Sequence, residues 1–506
     1  MIGAIDQSNS WAYPHQPICA RQSALWCRGA CRLPRRTLQA GTMRLFDTLS
    51  RNVRQLEPSD REVFRFYCCG PTVYGPAHIG NFRTFVLQDV LRRTLEAAGI
   101  PTFHVRNITD LDDKTIRDSQ AAGQSLPDFT AFWTARFHAD CQRLGLLPPH
   151  VEPGAVDHIP QQIAMIATLI EKGHAYASDD GSVYFQIRSF PAYGALSHLD
   201  ERELALGQTQ NQRANADEYE KDSLSDFVLW KARRPTDGDN FWSSPWGEGR
   251  PGWHLECSAM IREYLGESFD LHGGGVDLVF PHHENEIAQS RCACGGSFAA
   301  HWFHCAHLMV DGGKMSKSLG NLYTLDDLQA KGWSPAEVRY VLLSGHYRKP
   351  LNFTFESLHA AREALTKMAR ATRALRERAA GLTEGGAATN NDTVFAPAWA
   401  ALNDDLNTSG ALGGIFVGLR AAAGLEGTEL VGALAALDQV LTSLGLALPD
   451  EPTAAEVPEE IRGFAEERWA ARCARDWGRA DAMRTELLEK GWLVKDGKES
   501  YELTRA

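Results

Sequence analysis

The sequence lacks any apolar run of the length that spans a bilayer, about 18 residues or more. Even its most apolar stretch, Leu430 to Leu448, is broken by Asp438, Gln439 and Thr442. A membrane-spanning helix is therefore not expected. A basic excess is also missing: the formal net charge is −12, the wrong sign for a simple nucleic-acid binder, so any contact with RNA must use local patches. Cysteine is sparse, at eleven in 506 residues, and Cys68 adjoins Cys69. That excludes a dense disulfide framework and favours thiols or metal in a reducing, cytoplasmic setting. Near the amino terminus Arg28 and Arg32 interrupt the only candidate apolar stretch, which argues against a secretory signal. No internal repeat is evident.

What is present suits a chain with several packed cores. A length prior of about 100 to 200 residues per domain suggests three or four domains. Residues 1–42 carry five arginines, three cysteines and a single acid, Asp6, and read as an appendage before patterned sequence begins at Met43. A mis-assigned start, a transit peptide and a disordered extension all fit that composition. Val63 to Cys69 reads as a strand, Gly70 to Pro76 as a turn, and Ile79 to Ala98 as a helix with Phe82, Val86, Val90, Leu91 and Leu95 on one face. Thr102 to Asn107 reads as a second strand. This order opens a parallel α/β sheet, whose ligands sit at the carboxyl ends of the strands.

Further along, 171–249 is irregular, charged and turn-rich, as expected of an insertion. Regular α/β sequence returns near Trp253, with a core strand at Phe269 to Leu271, the glycine run Gly273 to Gly275, and a helix opening at Pro281. After Phe353 the pattern is helical for about a hundred residues, and a Pro/Glu-rich linker follows at Pro449 to Glu459. Arg468, Arg472, Arg475 and Arg479 are spaced four, three and four apart, which places them on one face of a continuous helix.

Two segments suit a nucleotide. Pro76-Ala77-His78-Ile79-Gly80-Asn81 opens a helix after a strand and turn, where amides and macrodipole favour anions, glycine admits close approach and histidine can bond phosphate. Lys314-Met315-Ser316-Lys317-Ser318 lies in a glycine-flanked loop after the strand Leu308 to Val310, able to follow charge onto a leaving group. Together, and in this order, they resemble the His-Ile-Gly-His and Lys-Met-Ser-Lys-Ser signatures of class I aminoacyl-tRNA synthetases. The resemblance implies a Rossmann-like catalytic domain. Asn81 stands where the pattern ends in histidine, and weakened or rearranged ATP contacts are expected there.

Cys69 ends the first strand, Cys257 lies in Trp253-His254-Leu255-Glu256-Cys257, and His282 and Glu286 are four apart on one helix face. Thiolate, imidazole and carboxylate are zinc ligands, although His283 or Glu284 could replace either helix member. Phe66 to Thr84, Arg106 to Lys114, Gly252 to Met260, His272 to Ser290 and Lys314 to Asn321 resemble the cysteinyl-tRNA synthetase family, a likeness that extends over nearly everything from Met43 onward. That resemblance implies one zinc ion per chain on Cys69, Cys257, His282 and Glu286. It implies an amino-acid pocket at Thr109, Trp253 and His272, and nucleotide contacts at His78, Gly80, Gly274, Asp277 and Lys317, with His78, Asn81, Lys314 and Lys317 serving catalysis.

The implied activity is ATP-dependent activation of L-cysteine, with Mg2+ accompanying ATP, and transfer to the terminal ribose of tRNA(Cys) by a monomer. Zinc would separate cysteine from serine by its affinity for thiolate and would expand to five ligands when the substrate sulfur binds. The expected arrangement is an extension at 1–42, catalytic halves at 43–170 and 250–300 flanking the insertion at 171–249, and a lysine-loop region at 301–355. A helical tRNA-binding bundle at 356–448 and a linker with an anticodon-binding segment at 449–506 complete it. Discrimination of that kind makes a proofreading domain unnecessary. Two rivals are a cysteine ligase acting on an amino sugar, as in the mycothiol pathway, and an inactive zinc-containing RNA-binding paralogue.

Overall fold

The computed structural model describes residues 43–60, 62–199, 213–214, 226–315, 319–382, 393–450, 458–497 and 500–505. The extension at 1–42 and Lys317 lie outside the described residues. Four parallel strands form the central sheet: β1 (Phe64–Cys68), β2 (Thr102–Arg106), β3 (Ser268–Gly275) and β4 (Phe298–Cys305), in the spatial order β4-β3-β1-β2. Such a sheet is buried on both faces, and Phe66, Tyr67, Leu271 and Phe303 are fully enclosed.

Helix α1 (Ile79–Ala97) connects β1 to β2, and the expected stripe of Phe82, Val86, Val90, Leu91 and Leu95 is buried. Register aligns the carboxyl ends of the strands: Cys68 pairs with Arg106 and with Gly273, and the Cys69 amide donates to the Gly273 carbonyl at 3.1 Å. Strand β3 runs through the glycine run to Gly275 instead of stopping at Leu271. Neighbouring strands supply the ladder bonds, so glycine's weak strand preference is overridden. Two helices accompany the second half of the sheet: α2 (Trp253–Leu265) precedes β3, and α3 (Glu284–Cys294) lies between β3 and β4.

The insertion is ordered where it is described. Strands Ala175–Ala177, Val183–Phe185, Asp226–Ala232, Gly247–Pro251 and Trp242–Ser244 pair antiparallel in that order, over a core containing Phe185, Phe227, Leu229 and Trp230. Several are only three residues long, too short for alternation to register in the sequence. The helical region contains α4 (Phe355–Ala379) and the helices Ala396–Asn403, Thr408–Ala422 and Gly427–Leu444. It is tied to α1 by the buried Arg339, which donates to Asp89 Oδ2 at 2.5 Å and to the carbonyls of Leu444 and Leu144 at 2.8 and 2.9 Å. Among the described residues no helix is long and apolar enough to cross a membrane.

The arginine row is corrected by the structure. Helix α5 (Glu459–Cys473) ends before Arg475, which adopts φ 60°, and Asp476 caps a separate helix, α6 (Trp477–Glu489). Arg468 is buried and paired with Asp496 at 2.6 and 2.8 Å, in a strand of the hairpin Trp492–Asp496 and Tyr501–Arg505. Arg472 reaches the same carboxylate, whereas Arg479 meets Glu467 at 3.5 Å. A side-chain cap at Asp476 and a left-handed residue before it break the helical period on which a common face depends.

Candidate active site and metal centre

Parallel topology gathers residues distant in sequence at the carboxyl edge of the sheet. Cys69 follows β1 directly. Cys257 lies one turn into α2. His282 and His283 precede α3, and Glu286 is in its first turn. One donor atom each from Cys69, His282, His283 and Glu286 falls within 4.8 Å of the others, and all four residues are buried. Glu286 Oε1 is 2.9 Å from His282 Nε2 and 3.9 Å from Cys69 Sγ, while His283 Nε2 is 3.3 Å from that sulfur. Buried Cys257 directs its thiol at both Cys69 and His282. The structure thus brings together three of the four expected ligands, Cys69, His282 and Glu286, with His283, the alternative that spacing left open, as the fourth member of the cluster, while Cys257 lies beside Cys69 and His282 but outside it.

A second layer holds these donors. Glu286 Oε2 is 2.8 Å from Nε2 of His272, whose ring stacks on Trp302. His282 Nδ1 is 2.9 Å from His254 Nδ1, and Trp253 stacks on the His282 ring at 4.4 Å. His283 Nδ1 meets His304 Nε2 at 2.8 Å, and His304 Nδ1 meets Thr48 Oγ1 at 2.7 Å. Partners behind metal-binding groups fix ring orientation and tautomer. None of His254, His304, Thr48 and Trp302 is visible in sequence spacing.

The electrostatics match a site that exchanges protons for a cation. Burial pushes the Cys69 thiol up to about 12 and raises Cys257 well above the usual thiol range. Burial also opposes ionisation of Glu286, but the charges of His272 and His282 outweigh it and hold that carboxyl at about 2. Burial lowers His282, yet Glu286 carries it to about 10. Two neutral thiols beside a His-Glu ion pair form a donor set that a divalent cation would occupy by displacing protons.

The expected amino-acid pocket adjoins this cluster. Thr109 is buried at the end of β2, and Trp253 opens α2 half-buried. His272 is wholly enclosed and bonded to Glu286, which places it behind a member of the cluster; its Nδ1 has no hydrogen-bond partner among the described residues. Glu256, which sequence reading passed over, is fully buried and accepts from Thr109. Burial raises its pKa well above the carboxylate range.

At the other end of the edge, His78 caps α1. Its Nδ1 accepts from the Asn81 amide at 3.3 Å, and Asn81 Oδ1 accepts from the His78 amide at 3.1 Å. This reciprocal cap explains asparagine at that position, since its side chain closes the helix end. Burial lowers the His78 pKa, so the ring is neutral near pH 7, with Nδ1 accepting and the proton on Nε2. A Cβ on Gly80 would lie 3.0 Å from that ring and 3.2 Å from Met315 Sδ, so the two signatures meet over this glycine. The Ile79 amide donates to the Tyr323 carbonyl at 2.9 Å, which ties the start of α1 to the segment after the lysine loop. Lys314 is exposed in the strand Gly313–Lys314. Gly274 has no room for a side chain, since its Cβ would meet Leu278 at 2.9 Å, and Asp277 is exposed just beyond the run.

Comparison with known proteins extends these findings. A family described as the tRNA synthetases class I (C) catalytic domain matches residues 55–363. The chain is 56% identical over 470 residues to a cysteine–tRNA ligase of Opitutus terrae, covering 92% of this chain and 99% of that protein. It is 44% identical over 491 residues to a cysteine–tRNA ligase of Chlamydia muridarum, covering 91% and 99%. Among solved structures, Mycobacterium tuberculosis methionyl-tRNA synthetase with methionyl-adenylate superposes with a TM-score of 0.54 at 14% identity, over 76% of this chain and 90% of that one. A ternary complex of Agrobacterium radiobacter LeuRS gives 0.54 at 13%, over 77% and 84%. At such identity these two likenesses speak for the fold alone.

Proposed function

From the premise that this chain belongs to the cysteine–tRNA ligases, class I aminoacyl-tRNA synthetases that join an amino acid to tRNA, we propose how its own residues carry that reaction. The cysteine carboxylate attacks the α-phosphorus of ATP. The bond to the β-phosphate oxygen breaks, and pyrophosphate leaves with its Mg2+. A terminal ribose hydroxyl of tRNA(Cys) then attacks the carbonyl carbon of the adenylate, and AMP departs.

His78 donates from Nε2 to the triphosphate, at a helix end whose amides already favour anions. Gly80 and Gly274 let the nucleotide approach the backbone, and Asp277 accepts from the ribose or the amino group. Lys314 and Lys317 stabilise charge on the departing pyrophosphate. Asn81 serves by holding the His78 cap. Thr109 and Trp253 line the amino-acid pocket, and His272 orients Glu286. Cys69, Cys257, His282 and Glu286 would hold zinc, with His283 beside them. Bound there, zinc would supply a soft Lewis acid that favours thiolate over hydroxyl and so separates cysteine from serine.

The observation that carries this reading is the convergence of a thiol, two imidazoles and a carboxylate, with the Cys257 thiol beside them, at the same sheet edge where Met315 covers Gly80. The helical region at 356–448 and the segment at 449–506 are assigned to the tRNA stem and anticodon, in a cytoplasmic monomer. Two linked assays test the proposal: cysteine-dependent exchange of pyrophosphate into ATP, then charging of purified tRNA(Cys). Both are expected to succeed. Exchange without charging would point to a small acceptor such as an amino sugar, and absence of exchange to a scaffold that binds RNA without catalysis.

A further inference from the structure

Glu256 lies between two residues that the proposed chemistry uses, yet has no part in it so far. It sits in the first turn of α2, three residues after Trp253 and one before Cys257, and is 2% exposed. Its Oε1 accepts from the Thr109 hydroxyl and, at 3.2 Å, from Asn107 Nδ2. The same amide nitrogen donates to Thr109 Oγ1 at 3.0 Å, and Asn107 Oδ1 accepts from the Gly70 amide at 2.8 Å. One carboxyl oxygen thus links the segment after β1, which carries Cys69, the segment after β2, which carries Thr109, and α2, which carries Trp253 and Cys257. Asn107, Thr109 and Glu256 are all buried, so the network is shielded from competing water.

Hydrogen-bond counting then fixes the polarity of Thr109. A hydroxyl has one proton to donate and two lone pairs. Its proton is directed at Glu256, and one lone pair receives Asn107 Nδ2. Toward a ligand Thr109 therefore offers an acceptor only. Oε1 accepts when the Glu256 carboxyl is ionised and equally when its proton sits on Oε2, and in both forms this polarity holds.

We propose that Glu256 is a positioning residue that locks Thr109 as a hydrogen-bond acceptor for the α-ammonium group of the incoming amino acid. The ammonium is the strong donor that a free amino acid carries, and an acceptor held rigid beside the metal cluster sets the distance between amine and thiol recognition. This rests on the reading of Thr109 as a wall of the amino-acid pocket. It assigns amine recognition to a network that adjoins the metal donors, since the Cys257 thiol reaches the same Oε1 at 3.9 Å.

The test is steady-state pyrophosphate exchange on the zinc-loaded full chain, with KM for cysteine and for ATP measured separately and zinc content recorded. Glu256→Ala is expected to raise the cysteine KM about tenfold or more, as expected for a buried polar contact left unmade, while ATP KM and zinc content stay at the parent values. Glu256→Gln keeps an acceptor oxygen and is expected to restore most of the cysteine affinity. Thr109→Val should reproduce the Glu256→Ala shift, and the double variant should add little to either, since both remove one interaction.

An unmoved cysteine KM in Glu256→Ala, an equal rise in ATP KM, loss of zinc, or failure of Glu256→Gln to rescue would each overturn the proposal. Should Glu256→Ala not fold, Thr109→Val carries the same prediction, and a cysteine KM indifferent to it overturns the proposal. A parent chain with no cysteine-dependent exchange would instead refute the cysteine–tRNA ligase reading itself.

Discussion

Two clusters of chemically suggestive residues fare differently in this fold. At the carboxyl edge of the parallel sheet, Cys69 converges on one buried cluster with His282, His283 and Glu286, which lie more than two hundred residues further along the chain. In the carboxyl-terminal unit, four arginines only eleven positions apart end to end are dispersed, with Arg468 in a core ion pair, Arg475 in a turn and Arg479 on another helix. Closeness in sequence is a weak guide when a cap can break the helix between residues. Distance in sequence is no obstacle when parallel strands deliver their ends to a common edge.

The largest effect that would sharpen this contrast is at the edge itself. Cys257→Ala should release zinc and lower cysteine-dependent exchange by at least about two orders of magnitude, whereas His283→Asn should retain the metal and lose about tenfold. Metal analysis of both variants separates the two donor sets, and zinc retained by Cys257→Ala but lost from His283→Asn would exchange their roles. Next in size is the carboxyl-terminal pair. Arg468→Ala should cost the unit 458–505 about 2 to 3 kcal/mol, because it strands a half-buried Asp496, while Arg479→Ala should change stability by less than about 0.5 kcal/mol. Hydrogen exchange localised to α5 and α6 reads both, and equal effects would restore the single-face picture.

The two regions should also differ in their response to pH. Burial raises Asp110, beside the pocket, to about 6. Its folded pKa lies above the unfolded value, so the folded state holds the proton more tightly. The stability it contributes is present below about pH 4 and lost as pH rises through about 6. Asp110→Asn should therefore be more stable than the parent at pH 8 by about 2 kcal/mol, with the difference closing toward pH 4. Asp496 behaves in the opposite sense. The Arg468 hydrogen bond holds it below the usual value, so its contribution persists through that window and is lost only in stronger acid. Urea midpoints at pH 4, 6 and 8 check the sign. The smallest expected effect is at the contact between signatures: Gly80→Ala presses a methyl on His78 and Met315 and should raise ATP KM about tenfold, leaving zinc unchanged.

Much of this edge was legible in the sequence because its elements obey strong local rules. The helix after His78 follows from the period of Phe82, Val86, Val90 and Leu95, and β1 follows from an apolar run, interrupted by Arg65, that ends in Cys69. Cys69, His282 and Glu286 of the candidate cluster were legible through chemistry and family likeness, with His283 open as an alternative. Their supporting partners were not: His254, His304, Thr48 and Trp302 meet the donors only through the fold, and an isolated histidine or threonine has no spacing to betray it. Glu256 was hidden beside Cys257, although an acid within the apolar stretch from Leu255 to Ile261 is itself a signal of buried pairing. The insertion's sheet escaped because strands of three residues carry no period.

The central claim is that a zinc ion held at this edge recognises the substrate by its sulfur. Zinc-edge X-ray absorption on the purified chain, without ligand, with cysteine and with serine, tests it directly. The account predicts bound zinc with sulfur, nitrogen and oxygen neighbours, and an added sulfur neighbour with cysteine but not with serine. A spectrum unchanged by cysteine, or a chain active without zinc, would contradict it.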